Sequence, residues 1–129
     1  MKSIIACLLI MVNVIAGIPA QANEARRLSN GYEVGIRIDR NPPIVGDNAL
    51  EIEIKDPGGR RVTEAQVLVN YYMPPMPRMA PMNYTIPAKL KGDRYQAVMR
   101  LIMDGPWIIA LKITLGGKMS TVKFHINAR

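Results

Sequence analysis

The sequence predicts an all-β fold, a Greek-key β-sandwich of the immunoglobulin-like kind with about seven strands. Three observations lead there. Apolar residues recur with a period of two and never with the 3.6-residue period of a helix. Turn-forming pairs separate the apolar runs at short intervals. The chain has 129 residues with ten Gly and ten Pro, enough for one domain with many turns.

The elements follow in order. Tyr32, Val34, Ile36 and Ile38 alternate with Glu33, Arg37 and Asp39. Leu50, Ile52 and Ile54 alternate with Glu51, Glu53 and Lys55, the pattern of a half-buried strand. Val67, Val69 and Tyr71 repeat it. Tyr84, Ile86, Ala88 and Leu90 form a fourth run with Pro87 facing outward. A proline cannot donate to a ladder, which places that strand at a sheet edge. The segments 95–102 and 107–115 are the most apolar and suit central strands, with Met99, Met103 and Trp107 read as core. In the last strand Val122, Phe124 and Ile126 share one face, and Thr121, Lys123 and His125 the other.

Asp56-Pro57-Gly58-Gly59, Gly92-Asp93, Asp104-Gly105 and Gly116-Gly117 supply the turns. The connection from Met73 to Asn83 is longer, and falls where such sandwiches cross from one sheet to the other.

Residues 1–22 read as a cleavable secretory signal. Met1-Lys2 precedes an apolar run from Ile4 to Ile18, then Pro19 and the small-x-small site Ala20-Gln21-Ala22. That run is shorter than the roughly 20 residues that span a bilayer. A periplasmic or secreted protein is expected, with no membrane span after cleavage. Residues 23–30, with Arg26 and Arg27 and few apolar side chains, read as an N-terminal leader, and 31–129 as the sandwich domain.

Cleavage also removes Cys7, the one cysteine, so the domain has neither disulfide nor thiolate chemistry. One histidine, His125, cannot build a zinc cluster or a nucleophile–base–orienter set. No phosphate-binding glycine loop is present. The chain reads as a binding protein and not an enzyme. Its formal net charge of +7 is scattered singly along the strands, which favours solubility over nucleic-acid binding.

Residues 73–82 read Met-Pro-Pro-Met-Pro-Arg-Met-Ala-Pro-Met. Met73, Met76, Met79 and Met82 are spaced by three, and the four prolines bias the backbone towards the threefold polyproline helix. On such a helix the four thioethers share one edge. Neutral, polarisable sulfur suits Cu(I) or Ag(I) and offers little to Zn, Ca or Mg. Between Ala65 and Gly92 there is no Asp, Glu, His or Cys. Consecutive methionines on a straight polyproline helix lie roughly 9 Å apart, so either the segment bends into a hairpin or an ion is held by two flexible side chains with a third ligand from elsewhere. Two other readings compete. The segment serves as an adaptable surface for docking a protein partner, or simply covers an open end of the sandwich.

Several motifs occur together in a set order: Gly46-Asp47-Asn48, the strand 50–54, the turn 56–59, Val62, Ala65-x-Val67-x-Val69, Met73-Pro74-x-Met76, Gly92-Asp93-x-Tyr95-x-Ala97 and Met103-x-Gly105-x-Trp107. In this order the chain resembles the YtkA-like domain, also met in FixH-like proteins, over residues 45–115. The resemblance implies an exported or membrane-facing immunoglobulin-like sandwich. It also implies association with metal handling, beside heavy-metal efflux or cytochrome-oxidase copper delivery components. An efflux or cytochrome component of the envelope is the partner it suggests. The run on to Met79 and Met82 extends beyond the short Met-Pro-x-Met core.

Overall fold

The computed structural model describes residues 24–129, and the expected signal segment lies outside them. Among the described residues nine strands are arranged in two antiparallel sheets: β1 (Glu24–Ser29), β2 (Tyr32–Ile38), β3 (Gly46–Lys55), β4 (Gln66–Tyr72), β5 (Asn83–Pro87), β6 (Lys89–Lys91), β7 (Arg94–Leu101), β8 (Gly105–Leu115) and β9 (Lys118–Ala128). One sheet has the order β1-β2-β3-β7-β6 and the other β5-β4-β8-β9. With β1 set aside, this is the immunoglobulin arrangement, and the expected β-sandwich is the fold. Among the described residues no helix is long and apolar enough to cross a membrane.

The alternating residues meet between the sheets. Val34, Ile36 and Ile38 of β2, Leu50, Ile52 and Ile54 of β3, and Tyr95, Met99 and Leu101 of β7 are all buried. They face Val67, Val69 and Tyr71 of β4, Trp107, Ile109, Leu111 and Ile113 of β8, and Val122 and Phe124 of β9. β8 and β7 are interior strands, as their apolar runs predict.

Three expectations need correction. Residues 24–29 are not a leader but an edge strand, β1, paired along its length with β2. The joint is Asn30-Gly31, with φ of 53° and 85°, a two-residue turn of the primed kind that matches strand twist. The fourth apolar run is two strands. β5 pairs with β4 as far as Pro87; the Ala88 N–H donates to the Val67 carbonyl at 2.9 Å, and β6 then pairs with β7 in the opposite sheet. Pro87 thus marks a change of sheet as well as an edge. It follows that the 73–83 connection does not cross the sandwich. It joins β4 to β5 within one sheet.

The crossing from β3 to β4 is held by Tyr95, which is 2% exposed. Its hydroxyl donates to the Val62 carbonyl and accepts from the Ala65 N–H, both at 3.0 Å. Asn48, fully buried, accepts from the Ile44 N–H at 2.9 Å and donates to the carbonyls of Ile44 and Gly46 at 2.7 and 3.1 Å. Its side chain thereby satisfies a turn with few ladder bonds.

The charges that look scattered along the chain gather on folding. On the outer face of the β1-containing sheet, Glu53 lies near Arg26 (3.1 Å), Lys55 (3.7 Å), Arg61 (2.7 Å) and Arg94 (3.6 Å). Arg94 also pairs with Glu51 at 2.8 Å, and Arg61 with Asp93 at 3.0 Å.

Candidate functional site

The methionine-proline segment forms a hairpin loop at the end of the sandwich. Tyr72 and Asn83 are the last paired residues of β4 and β5, and immediately beyond them the Met73 N–H donates to the Met82 carbonyl at 3.1 Å. At the far end the Met79 N–H donates to the Met76 carbonyl at 3.3 Å, with Arg78 between them at φ 68°. That left-handed residue reverses the chain, so the straight polyproline edge is replaced by the bent form. Proline explains the shape in part. Pro74, Pro75, Pro77 and Pro81 have no N–H to give, so a regular ladder cannot run along the loop.

The fold brings all four methionines onto the walls of one concavity of about 260 Å³, shared with Tyr72, Asn83, Ala80 and the prolines 74, 75 and 81. Their surroundings differ. Met73 is 6% exposed and belongs to the core. Met76 and Met82 are half-buried and pack against it. Met79 is 37% exposed. No carboxylate, imidazole or thiol lines the pocket. Among the described residues no group of three His, Cys, Asp or Glu could hold a metal ion. Thioethers are the soft donors at this place.

Below the loop Tyr71, Tyr84 and Trp107 form an aromatic cluster, with centroid separations of 5.4 Å (Tyr71–Tyr84), 6.0 Å (Tyr71–Trp107) and 6.5 Å (Tyr84–Trp107). Trp107 is fully buried and its Nε1–H donates to the Met103 carbonyl at 2.9 Å. It is a core residue, and Tyr72 is the aromatic residue on the pocket wall. Met99 is fully buried and Met103 half-buried against the core, as expected. His125 stands exposed on β9.

Two supporting residues escape the sequence reading. Asn70 is 9% exposed, and its Nδ2 donates to Asn83 Oδ1 at 2.6 Å and to the Tyr84 carbonyl at 3.0 Å, which fixes the start of β5 under the loop. Gly105 takes up the tip of Met73: a Cβ there would stand 3.1 Å from Met73 Cε, and its φ is +117°. The paired spacing Met103-x-Gly105-x-Trp107 carried a signal for Gly105. Asn70, inside a strand of Val and Tyr, carried none beyond being the polar exception.

A larger concavity, about 600 Å³, lies on the outer face of the β1-containing sheet. It is an open trough of mixed charge. Glu51 on its wall is engaged by Arg94, and Asp39 accepts the Ala49 N–H at 2.9 Å. Its acidic groups are thus already engaged, whereas the smaller concavity has four methionines on its walls and no charged side chain.

The architecture and the loop together define a class, an immunoglobulin-like sandwich with a methionine-lined pocket between two neighbouring strands of one sheet. The model of the YtkA-like family matches residues 26–112, and the chain belongs to that family. No curated protein and no solved structure matches it.

Proposed function

We propose that this protein is an exported, non-enzymatic carrier that captures Cu(I) or Ag(I) through Met73, Met76, Met79 and Met82 and passes the ion on. The observation that carries the reading is the set of four methionines lining one pocket with no carboxylate, imidazole or thiol among the residues around them. Export rests on the signal-like sequence of residues 1–22. Side chains that lose no proton and bind through one soft atom give moderate affinity and ready release, which suits a carrier.

The test is an anaerobic competition titration of the protein with Cu(I) against a chromophoric chelator, beside a variant with all four methionines changed to Leu. Met-to-Leu exchange conserves volume and costs less than about 1.5 kcal/mol at a buried site, so the fold survives. Binding by the wild type and none by the variant supports the reading. Equal binding by both overturns it.

A second reading has its own support. β5, which leads out of the loop, is an edge strand of its sheet, so loop and open edge form one continuous surface. In that reading the surface docks an envelope efflux or cytochrome component. Leu then replaces Met without loss, because shape and apolarity decide the contact.

A further inference from the structure

The four thioethers differ in how freely each can let go of an ion. Met73 is 6% exposed with its Cε seated against Gly105, so it cannot swing away without leaving a gap in the core. Met76 and Met82 are held in part by the same core. Met79 is 37% exposed, at the tip of the loop, next to Arg78. Arg78 is exposed, takes a left-handed φ of 68° that a non-glycine residue seldom adopts, and makes no ion pair with any described residue. No acidic residue occurs between Ala65 and Gly92 to neutralise it.

We infer that the loop tip is the point of handover, with Met79 as the exchanging ligand and Arg78 as the docking charge for an acceptor whose sulfur ligands lie in an acidic surface. This rests on the soft-metal reading above. In the exchange the bond from Cu(I) to the Met79 sulfur breaks as a bond to an acceptor sulfur forms. Copper stays Cu(I), and a neutral thioether releases no proton. Met73, Met76 and Met82 keep the ion until the acceptor takes it. The loaded loop presents the charge of the ion beside that of Arg78, which steers an acidic acceptor to the tip and a cationic one away.

The experiment uses the Cu(I)-loaded protein under anaerobic stopped flow, with transfer to anionic bathocuproine disulfonate and to neutral neocuproine. In M79L the equilibrium affinity falls less than in M73L, while transfer to either chelator slows about tenfold because the acceptor must reach an enclosed ion. In R78E transfer to the anionic chelator slows about tenfold at low salt, transfer to the neutral one is unchanged, and the difference closes at high salt. The inference is overturned if M79L transfers at the wild-type rate, if M79L loses as much affinity as M73L, or if R78E affects both chelators alike. A wild type that binds no Cu(I) removes the soft-metal reading itself and the handover with it. Circular dichroism of each variant separates these results from misfolding.

Discussion

Arg26 reaches Glu53 across the body of Gly35. The three stand in one row over β1, β2 and β3, as Arg26 opposes Gly35 and Gly35 opposes Glu53. The guanidinium Nη1 donates to Glu53 Oε1 at 3.1 Å, and a Cβ on Gly35 would stand 2.9 Å from that same nitrogen. The missing side chain of the middle strand lets the edge strand bond to the third.

Gly35→Ala therefore displaces Arg26 and little else, because the obstructed atom is the end of a flexible side chain. The pair is solvated, with the Arg26 side chain 45% exposed, so its loss costs about 0.2–1 kcal/mol. In an Arg26→Ala background the same substitution has no guanidinium to displace and is neutral or slightly stabilising. A double-mutant cycle by urea denaturation measures the difference. Equal effects in both backgrounds would disprove the relationship.

Glu53 gives the fold a dependence on acid. Burial pushes its carboxyl up, but the Arg26 hydrogen bond and the charges of Arg61, Lys55 and Arg26 outweigh this, and the net shift is downward. A carboxyl lowered in the folded state stabilises above its unfolded value and loses that contribution as pH falls through the folded one. The loss thus falls below the ordinary glutamate range. Glu53→Gln destabilises near neutral pH by about 1 kcal/mol and flattens the acid limb of the stability profile. Denaturation midpoints from pH 7 down to pH 3 show whether the wild-type and variant curves converge.

Tyr95 governs the alkaline side. Burial pushes its phenol up, the Ala65 N–H lowers it in part, and Glu64 raises it further. A phenol raised on folding contributes stability below its unfolded value of about 10, and this is lost as pH rises through the folded one. Tyr95→Phe strands the Val62 carbonyl and the Ala65 N–H at the sheet crossing, which costs about 1–3 kcal/mol at neutral pH. The penalty shrinks above pH 10. Thermal unfolding of both proteins at pH 7 and pH 10.5 measures it.

Cu(I) affinity should be level with pH. The pocket has no carboxylate, imidazole or thiol, and thioethers release no proton on binding. Competition titrations at pH 7.5 and pH 5, each referred to the chelator's own affinity at that pH, should agree within about threefold. A tenfold fall at pH 5 would mean that a titrating ligand takes part.

Gly105→Ala acts on the pocket from beneath. Its φ of +117° disfavours any side chain, and the new methyl presses on Met73 Cε at 3.1 Å. Stability falls by about 1–3 kcal/mol and Cu(I) binding weakens with it. Gly116→Ala serves as the control: that residue also has positive φ (60°), but open space around it, so it loses stability and keeps its affinity.

Much of the sandwich could be read from the sequence because burial on one sheet face enforces alternation, and β2, β3, β4, β8 and β9 bury the residues that alternation selects, with Tyr32 and Ile126 half-buried at the margins. β1 was hidden because an edge strand beside the solvent needs few apolar residues, and Arg26 and Arg27 resemble a mobile leader. Its signal is the pair Asn30-Gly31, which the boundary between leader and domain divides. The division of β5 from β6 was hidden because Tyr84, Ile86, Ala88 and Leu90 keep one parity through the change of sheet, and periodicity does not record which neighbour a strand bonds. The methionines were visible as a group through their spacing. Their unequal burial was not, because it follows from the left-handed Arg78 and from the space at Gly105, and neither is a property of the loop's own pattern.

The seat of Met73 against Gly105 limits how far this loop can be transplanted. Residues 73–82 close on themselves through the Met73–Met82 backbone bond, and so look like a cassette that any hairpin of a host sandwich could accept. A graft of those ten positions alone would carry three of its sulfurs intact and leave the fourth without its berth. A working transplant must also bring a glycine at the start of the strand that corresponds to β8.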